Sequence, residues 1–397
     1  MSIKSDYQEY LEKKKTISEK RTGKFWVNQE GRYVEPFQIY GNLYYVGDSW
    51  VCVHIVDTGE GLLMFDAGNC GATAMLVQSI WEMGFNPADV KWIILSHGHA
   101  DHFGAVNFFK RMFGTKIYMG EPDVKMFHKN PELALIQESG NCMDELFDVD
   151  VAIKEGDVLT FGNTEIEFHL VPGHTKGCIA CFFDVTDRNE KKRVGYYGGF
   201  GFNTLQADYL KEIGDASFEA RKEYHQSLAS VRDQKVDIFM GNHTANVDLL
   251  NKRRYMLEHP GENPFIDSEA WKKYLDEKGI EYRDYGCDSL DAVDYPVYAK
   301  KVAHAIIDGE CEKGILFCGT GIGISITANK IKGIRAAVCT DCFTAEATRL
   351  HNDANILALG GRVVGPGLAV KIVETFLNTP FSNAERHINR ISQMETE

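Results

Sequence analysis

The chain has 397 residues, 44% of them hydrophobic and 25% charged, which is more apolar surface than one hydrophobic core usually organises, so two domains are expected. Its 43 basic against 57 acidic residues leave a formal charge of −14. That balance excludes a nonspecific nucleic-acid or anionic-membrane binder, either of which would need a basic face, and no run of 18 apolar residues predicts a membrane span.

Met1 to Thr22 alternates Lys and Glu with few apolar residues. It reads as a solvated helix or frayed arm without the apolar stretch of a signal peptide, so an N-terminal extension over residues 1–34 and a soluble, cytoplasmic protein are expected. Further on, Trp92-Ile93-Ile94-Leu95 reads as a buried strand. It runs into Ser96-His97-Gly98-His99-Ala100-Asp101-His102-Phe103-Gly104, and loops at strand ends are where catalytic groups collect. His97 and His99, two apart in an extended segment, can point the same way, while Asp101 and His102 turn toward a second position, so one loop can feed two metals. A catalytic zinc site takes about three protein ligands and leaves a position for water, so more histidines are expected downstream. His174 follows the strand-like Glu165–Leu170 in Val171-Pro172-Gly173-His174-Thr175-Lys176-Gly177, and His243 follows Val236–Met240 in Gly241-Asn242-His243-Thr244. His54, His128, His169 and His225 read as ordinary core or surface residues.

These elements, with Phe65-Asp66-Ala67-Gly68 as an early Asp-containing strand end, resemble the metallo-β-lactamase superfamily over residues 35–277. The resemblance implies an αββα sandwich with two zinc ions, or another divalent metal in their place. His97, His99 and His174 would hold one ion, and Asp101, His102 and His243 the other. Between the last two histidines the family often has a metal-binding Asp or Cys, whereas this chain reads Tyr196-Tyr197-Gly198-Gly199-Phe200-Gly201. That is similar to the lactamase subclass without a cysteine ligand and departs from glyoxalase-type members. The chemistry implied is hydrolysis by a metal-held hydroxide, which Asp101 would help to orient as a catalytic group. β-Lactam cleavage is the nearest reaction; thioester, lactone and phosphoester hydrolysis stay open.

Two Cys-x-x-Cys pairs, Cys178/Cys181 and Cys339/Cys342, are expected to be buried free thiols rather than disulfides. His259 to Asp267 reads as a turn region ahead of a helix over Ser268–Leu275. Beyond it the rhythm becomes α/β: strands at Ile280–Tyr282, Gly314–Cys318, Ala336–Cys339 and Ile356–Leu359, and helices at Tyr295–Asp308, Ser325–Ile331 and Thr344–Asn352. That alternation predicts a parallel, Rossmann-like sheet. Gly319-Thr320-Gly321-Ile322-Gly323 lies between a strand and a helix, where backbone N–H groups can cradle an anion.

Asp294-Tyr295-Pro296, Cys318 to Gly323, Arg349 to Asn355, Gly360-Gly361-Arg362-Val363, Arg386-His387 and Arg390 resemble the type B ribose-5-phosphate isomerases and galactose-6-phosphate isomerase subunits over residues 278–397. That resemblance implies aldose–ketose isomerisation, with Cys318 as base and Thr320 with Gly319, Gly321 and Gly323 around the oxyanion. It implies His351 for ring opening, Asn352 on the sugar, Arg362, Arg386 and Arg390 on the phosphate, and a dimer. The family's first strand and its Asp-His pair have no counterpart before Lys278, where Asn263-Pro264-Phe265-Ile266-Asp267 stands instead. An internal strand cannot vanish without leaving unpaired backbone, so the neighbouring strands close up, another segment or chain replaces it, or the domain is degenerate. The leading expectation is a zinc-dependent hydrolase of a small molecule with an isomerase-like C-terminal domain. The alternative is a sugar-phosphate isomerase with an accessory hydrolase domain, or a bifunctional fusion.

Overall fold

A computed structural model of the protein describes residues 30–69, 71–136, 146–280, 282–287 and 293–395; Met1 to Thr22, read above as an arm, lies outside them. The chain divides into two compact units, Met1–Ile280 and Glu281–Glu397.

The first unit is built on two sheets. One has seven strands in sequence order: β1 (Phe37–Tyr40), β2 (Leu43–Tyr45), β3 (His54–Asp57), β4 (Leu62–Phe65), β5 (Val90–Ile94), β6 (Lys116–Gly120) and β7 (Val151–Ile153). β1 to β4 pair antiparallel, and β4 to β7 parallel. The other comprises β8 (Val158–Phe161), β9 (Thr164–Leu170), β10 (Ile179–Asp187), β11 (Glu190–Tyr197) and β12 (Ile238–Gly241), in the order β12-β11-β10-β9-β8. Edge strand β1 alternates buried Phe37 and Ile39 with exposed Gln38, whereas β4 is buried throughout. A strand covered on both faces has no reason to alternate. Between the sheets pack Leu43, Phe65, Phe168, Phe183 and Tyr196, with the rings of Phe65 and Phe183 stacked at 5.2 Å.

Helices α1 (Thr73–Glu82), α2 (Val106–Phe113) and α3 (Glu121–Lys129) accompany the first sheet, and Leu76, Ile80, Val106 and Phe109 join its second cluster of apolar side chains. After the second sheet's hairpin come α4 (Ala207–Glu212), α5 (Glu219–Val231), α6 (Leu249–Glu258) and α7 (Ala270–Lys278). Trp271 and Leu275, one helical turn apart on α7, are both 1% exposed within the first unit's core. The Trp271 indole N–H donates to the Val231 carbonyl at 3.0 Å. The stretch read as a turn region also belongs here: Ile266 bridges Ile238 of β12, and the Asp267 N–H donates to the Asp237 carbonyl at 2.9 Å.

In the second unit β13 (Gly314–Cys318), β14 (Ala336–Val338) and β15 (Ile356–Gly360) form a parallel sheet in the order β13-β15-β14. Alternation along β15 sends Ile356 and Ala358 to one cluster, with Ala299, Ala303 and Ile324 of α8 (Tyr295–Ile307) and α9 (Ile322–Ala328). Leu357 and Leu359 go to the other, with Ala345, Ile372 and Phe376 of α10 (Cys342–Asn352) and α11 (Pro366–Asn378); α12 (Glu385–Met394) follows.

Two expectations are corrected here. The strand expected at Ile280–Tyr282 is absent: Ile280 and Tyr282 are exposed and outside any strand, while Glu281 is not among the described residues. No described strand pairs with this segment, and an extended stretch outside a ladder is not held as a strand. The helix expected at Ser325–Ile331 starts earlier, at Ile322, because Gly321 adopts a left-handed φ of +78° at its N-cap and turns the chain at once. Among the described residues, β13 pairs with β15 alone, so its other edge has no partner strand. No described helix is long and apolar enough to cross a membrane. Cys178, Cys181, Cys339 and Cys342 are free thiols, but Cys342 at the start of α10 is only half-buried.

Candidate metal centre and isomerase-like site

The loop after β5 carries His97, His99, Asp101 and His102; the β9–β10 turn brings His174, and the turn after β12 brings His243. His97 Nε2 lies 3.0 Å from His99 Nδ1, which lies 3.1 Å from His174 Nε2. One ligand atom from each of these three histidines falls within 4.8 Å of the others, and the same holds for His97, Asp101 and His102. His243 Nε2 stands 3.6 Å from Asp101 Oδ2 and its ring 4.9 Å from that of His102. All six residues therefore meet in one cluster, with His97, His99, His102 and His174 buried and Asp101 and His243 partly exposed.

The remaining nitrogens are held from behind, which fixes the ring orientations. His97 Nδ1 lies 3.0 Å from Ser96 Oγ, His174 Nδ1 donates to the Gly201 carbonyl at 2.9 Å, and His243 Nδ1 donates to the Trp50 carbonyl at 3.2 Å. His102 Nδ1 meets Asp66 Oδ2 at 2.8 Å; Asp66 also accepts from the Tyr196 hydroxyl at 2.9 Å and the Ser96 N–H at 2.7 Å. Asp66 sits at φ +59° at the end of β4, a conformation that Asp tolerates better than most residues. Burial pushes the Tyr196 hydroxyl well up, so it stays a donor.

The donor set fits a divalent cation. His102 Nε2 is buried without a hydrogen-bond partner, with Asp101 Oδ2 3.4 Å away. Burial alone would push the His102 pKa down, but the carboxylates of Asp101 and Asp66 on either side raise it to about 10. A positive charge is what that position selects. Burial lowers His97 and His99 well below the ordinary histidine range, helped by the neighbouring imidazoles, and lowers His174 and His243 to about 4. These four are neutral near pH 7, the form that ligates metal. Asp101 is held well below the carboxylate range: burial opposes this, and the imidazole of His102 outweighs it.

The glycine-rich turn of the second unit stands at the C-terminal end of β13. Cys318 is half-buried, and the Gly321 N–H donates to its Sγ at 3.1 Å. Although burial raises the thiol, N–H groups of Thr320, Ile324 and Gly321 outweigh it and lower the Cys318 pKa. The Arg362 N–H donates to the Gly319 carbonyl at 3.1 Å, and a Cβ built on Gly319 would lie 3.6 Å from Arg362 Nε. Thr320 Oγ1 accepts from the Ile322 N–H at 3.4 Å, and a Cβ on Gly323 would strike the Tyr295 hydroxyl. A second group forms between α10 and α12: the rings of His351 and His387 are 4.6 Å apart, Arg386 Nε donates to His387 Nε2 at 3.2 Å, and the charges of Arg386, His351 and Arg390 add to burial in lowering the His387 pKa. Asn352, exposed beside them, uses its carbonyl to accept from Arg335 Nε at 3.0 Å. Among the described residues the contacts of the predicted isomerase residues thus fall into two groups, one around Cys318 and one around His351.

Sequence reasoning missed several supporting residues. Trp50 and Asp48 build the turn behind His243: Asp48 accepts from the N–H groups of Trp50 and Val51 at 2.8 and 2.7 Å. Thr204 Oγ1 donates to the His174 carbonyl at 2.7 Å. Asp123, 21 residues after His102, 51 before His174 and marked by no pattern, accepts bonds from the loops that carry His97 and His174. The only local signal at Asp123 was an acidic residue in a helical first turn, and that is ordinarily a matter of helix stability alone.

Face-to-face sheets with helices outside, and histidines at the strand ends, define a metallo-β-lactamase-type fold joined to an isomerase-type α/β unit. Residues 51–187 match the metallo-β-lactamase superfamily, and residues 265–394 match the ribose/galactose isomerase family. Through its C-terminal third the chain belongs to the ribose/galactose isomerase family, and its N-terminal unit is similar to the metallo-β-lactamase superfamily. The subclass B3 metallo-β-lactamase BJP-1 of Bradyrhizobium japonicum is similar in structure, with TM-score 0.55 and 28% identity over 63% of this chain and 92% of that one. Ribose-5-phosphate isomerase B of Escherichia coli is 44% identical over 142 residues, covering 36% of this chain and 93% of the relative. D-erythrulose-4-phosphate isomerase of Pectobacterium atrosepticum is 48% identical over 109 residues, covering 27% and 72%. The isomerase-family match begins at residue 265, yet α7, which it includes, packs in the first unit.

Proposed function

We propose that the protein is a metal-dependent hydrolase of a small molecule, its catalytic centre formed by the N-terminal unit over residues 35–277. The observation that carries this reading is the convergence of His97 Nε2, His99 Nδ1 and His174 Nε2 within hydrogen-bonding distance of one another, beside the unpartnered His102 Nε2. His97, His99 and His174 would hold one zinc ion, and Asp101, His102 and His243 the second. Zinc bound there supplies Lewis acidity and makes water a stronger acid. Asp101 Oδ2, between His102 and His243, is placed to accept a proton from an attacking water and orient it. Asp66 and Tyr196 hold His102 in one tautomer while that proton moves. β-Lactams are the first substrates to try, with thioesters, lactones and phosphoesters next.

A second reading is favoured by Cys318. A thiol whose pKa is lowered by backbone N–H groups at a helix start is poised as a base for aldose–ketose isomerisation. Residues 278–397 would then bind a phosphosugar, with Thr320 and Gly319, Gly321 and Gly323 around the oxyanion, His351 and Asn352 on the sugar and Arg362, Arg386 and Arg390 on the phosphate, in a homodimer. Among the described residues no hydrogen bond or ring contact joins the Cys318 group to the His351 group, and a second copy is a natural source of the complementary half.

The test is metal content of the purified chain, with hydrolysis of a chromogenic cephalosporin and isomerisation of ribose 5-phosphate measured on the same sample and on Cys318→Ala. About two zinc per chain with hydrolysis supports the first reading, and absence of bound metal after zinc reconstitution sinks it. Isomerisation abolished in Cys318→Ala makes the protein bifunctional.

A further inference from the structure

Asp123 lies at the third position of α3, 0% exposed, and belongs to none of the metal-binding residues. Its Oδ2 accepts from the Gly98 N–H at 2.8 Å and from the Thr175 hydroxyl at 2.7 Å, and its Oδ1 accepts from the Gly177 N–H at 2.8 Å. Gly98 separates His97 from His99, while Thr175 and Gly177 follow His174. One carboxylate therefore joins the loop after β5 to the β9–β10 turn, the two segments whose histidines converge.

The packing leaves no slack at this junction. A Cβ on Gly177 would come 2.5 Å from the Asp123 nitrogen, and one on Gly98 would come 2.8 Å from Met126 Cε and 3.3 Å from Asp123 Cβ. None of the three donors is charged, so nothing but hydrogen bonds and the helix start offsets the burial of the carboxylate. Burial raises the Asp123 pKa to about 6 against the bonds from Thr175, Gly98 and Gly177. A buried carboxylate without a cation is costly unless its oxygens are fully used. Three converging donors need acceptor lone pairs on both oxygens, and an amide in the same place would set its own N–H against one of them.

We propose that Asp123 is the positioning residue that sets the spacing between His97 and His99 on one loop and His174 on the other, and so the geometry of the first metal position. This rests on the metal-site reading above. Asp123 touches neither metal nor substrate; it acts through Gly98, Thr175 and Gly177.

The full-length chain would be compared with Asp123→Asn and with Thr175→Val, which removes one of the three donors and keeps the shape. Stepwise zinc affinities would be measured against a chromogenic chelator, the cobalt-substituted absorption spectrum recorded, and backbone hydrogen exchange of peptides spanning residues 96–104 and 171–178 followed in the metal-free chain. Asp123→Asn is expected to weaken the His97/His99/His174 position about tenfold or more, alter its cobalt bands, speed exchange in both peptides and leave the other position within about threefold. Thr175→Val should weaken the first position about threefold. Unchanged zinc affinities and spectra in both variants would overturn the proposal, as would equal weakening of both positions with loss of cooperative unfolding in both variants, the mark of a purely structural residue. If Asp123→Asn does not fold, Thr175→Val decides by the same readouts. If the parent binds no metal, the hydrolase reading fails separately, and exchange at Gly98 and Gly177 in the metal-free chain still decides whether Asp123 couples the loops.

Discussion

Trp271→Ala tests which unit owns the helix Ala270–Lys278. The indole is 1% exposed, its ring centroid is 5.3 Å from those of Phe182 and Phe239, and its N–H is bonded to Val231. Deleting a buried Trp leaves a cavity and costs about 3–5 kcal/mol. All five tryptophans of the chain, at positions 26, 50, 81, 92 and 271, precede residue 281, so tryptophan fluorescence follows the first unit alone, and four reporters remain in the variant. Urea unfolding followed by fluorescence should shift to lower denaturant by about 1 M or more, given a slope near 3 kcal/mol/M for a unit of this size. The part of the far-ultraviolet circular dichroism transition that does not coincide with fluorescence should stay in place. A fluorescence transition that does not move, with the other displaced, would refute the assignment and return the helix to the isomerase-like unit.

Substituting His99 or Asp101 by Ala should remove bound metal and lower turnover about 100-fold or more while the circular dichroism spectrum persists; unchanged turnover would reject the site. Asp66→Asn, which takes a charge from behind His102, should weaken metal binding about 10–100-fold, read by chelator competition. His54 is fully buried, and burial lowers its pKa from 6.5 to about 3. Its contribution is therefore complete above the unfolded value and lost as pH falls toward the folded one. Metal-free parent protein should lose about 2 kcal/mol more between pH 6.5 and 4.5 than His54→Leu does, measured by urea unfolding; equal losses would contradict this. Alkylation of Cys318 by iodoacetamide, followed by mass spectrometry across pH, should show a midpoint below the ordinary thiol value of 9.0, and a midpoint at or above it would remove the case for a poised base.

The loop from His97 to His102 was legible because its candidate ligands are chemically distinctive and four of them lie within six residues, so short-range geometry alone brings them near one another. Strands β13, β14 and β15 were legible for a similar reason, each being a short apolar run bounded by turn residues. The strand read at Ile280–Tyr282 was not formed, since extended structure depends on a neighbour that the local sequence does not contain.

Tertiary structure decided what depends on partners far along the chain. The apolar stripe of Trp271 and Leu275 suits any core, and only packing against Val231 and Phe239 assigned the helix to the first unit. Asp66 found Tyr196 across 130 positions, and Asp123 found Thr175 across 52. Ligand chemistry is carried by residue type and local spacing, which a sequence displays directly. The carboxylates that orient those ligands are selected by where hydrogen-bond donors converge once the two sheets have closed on one another, and that convergence exists only in the folded chain.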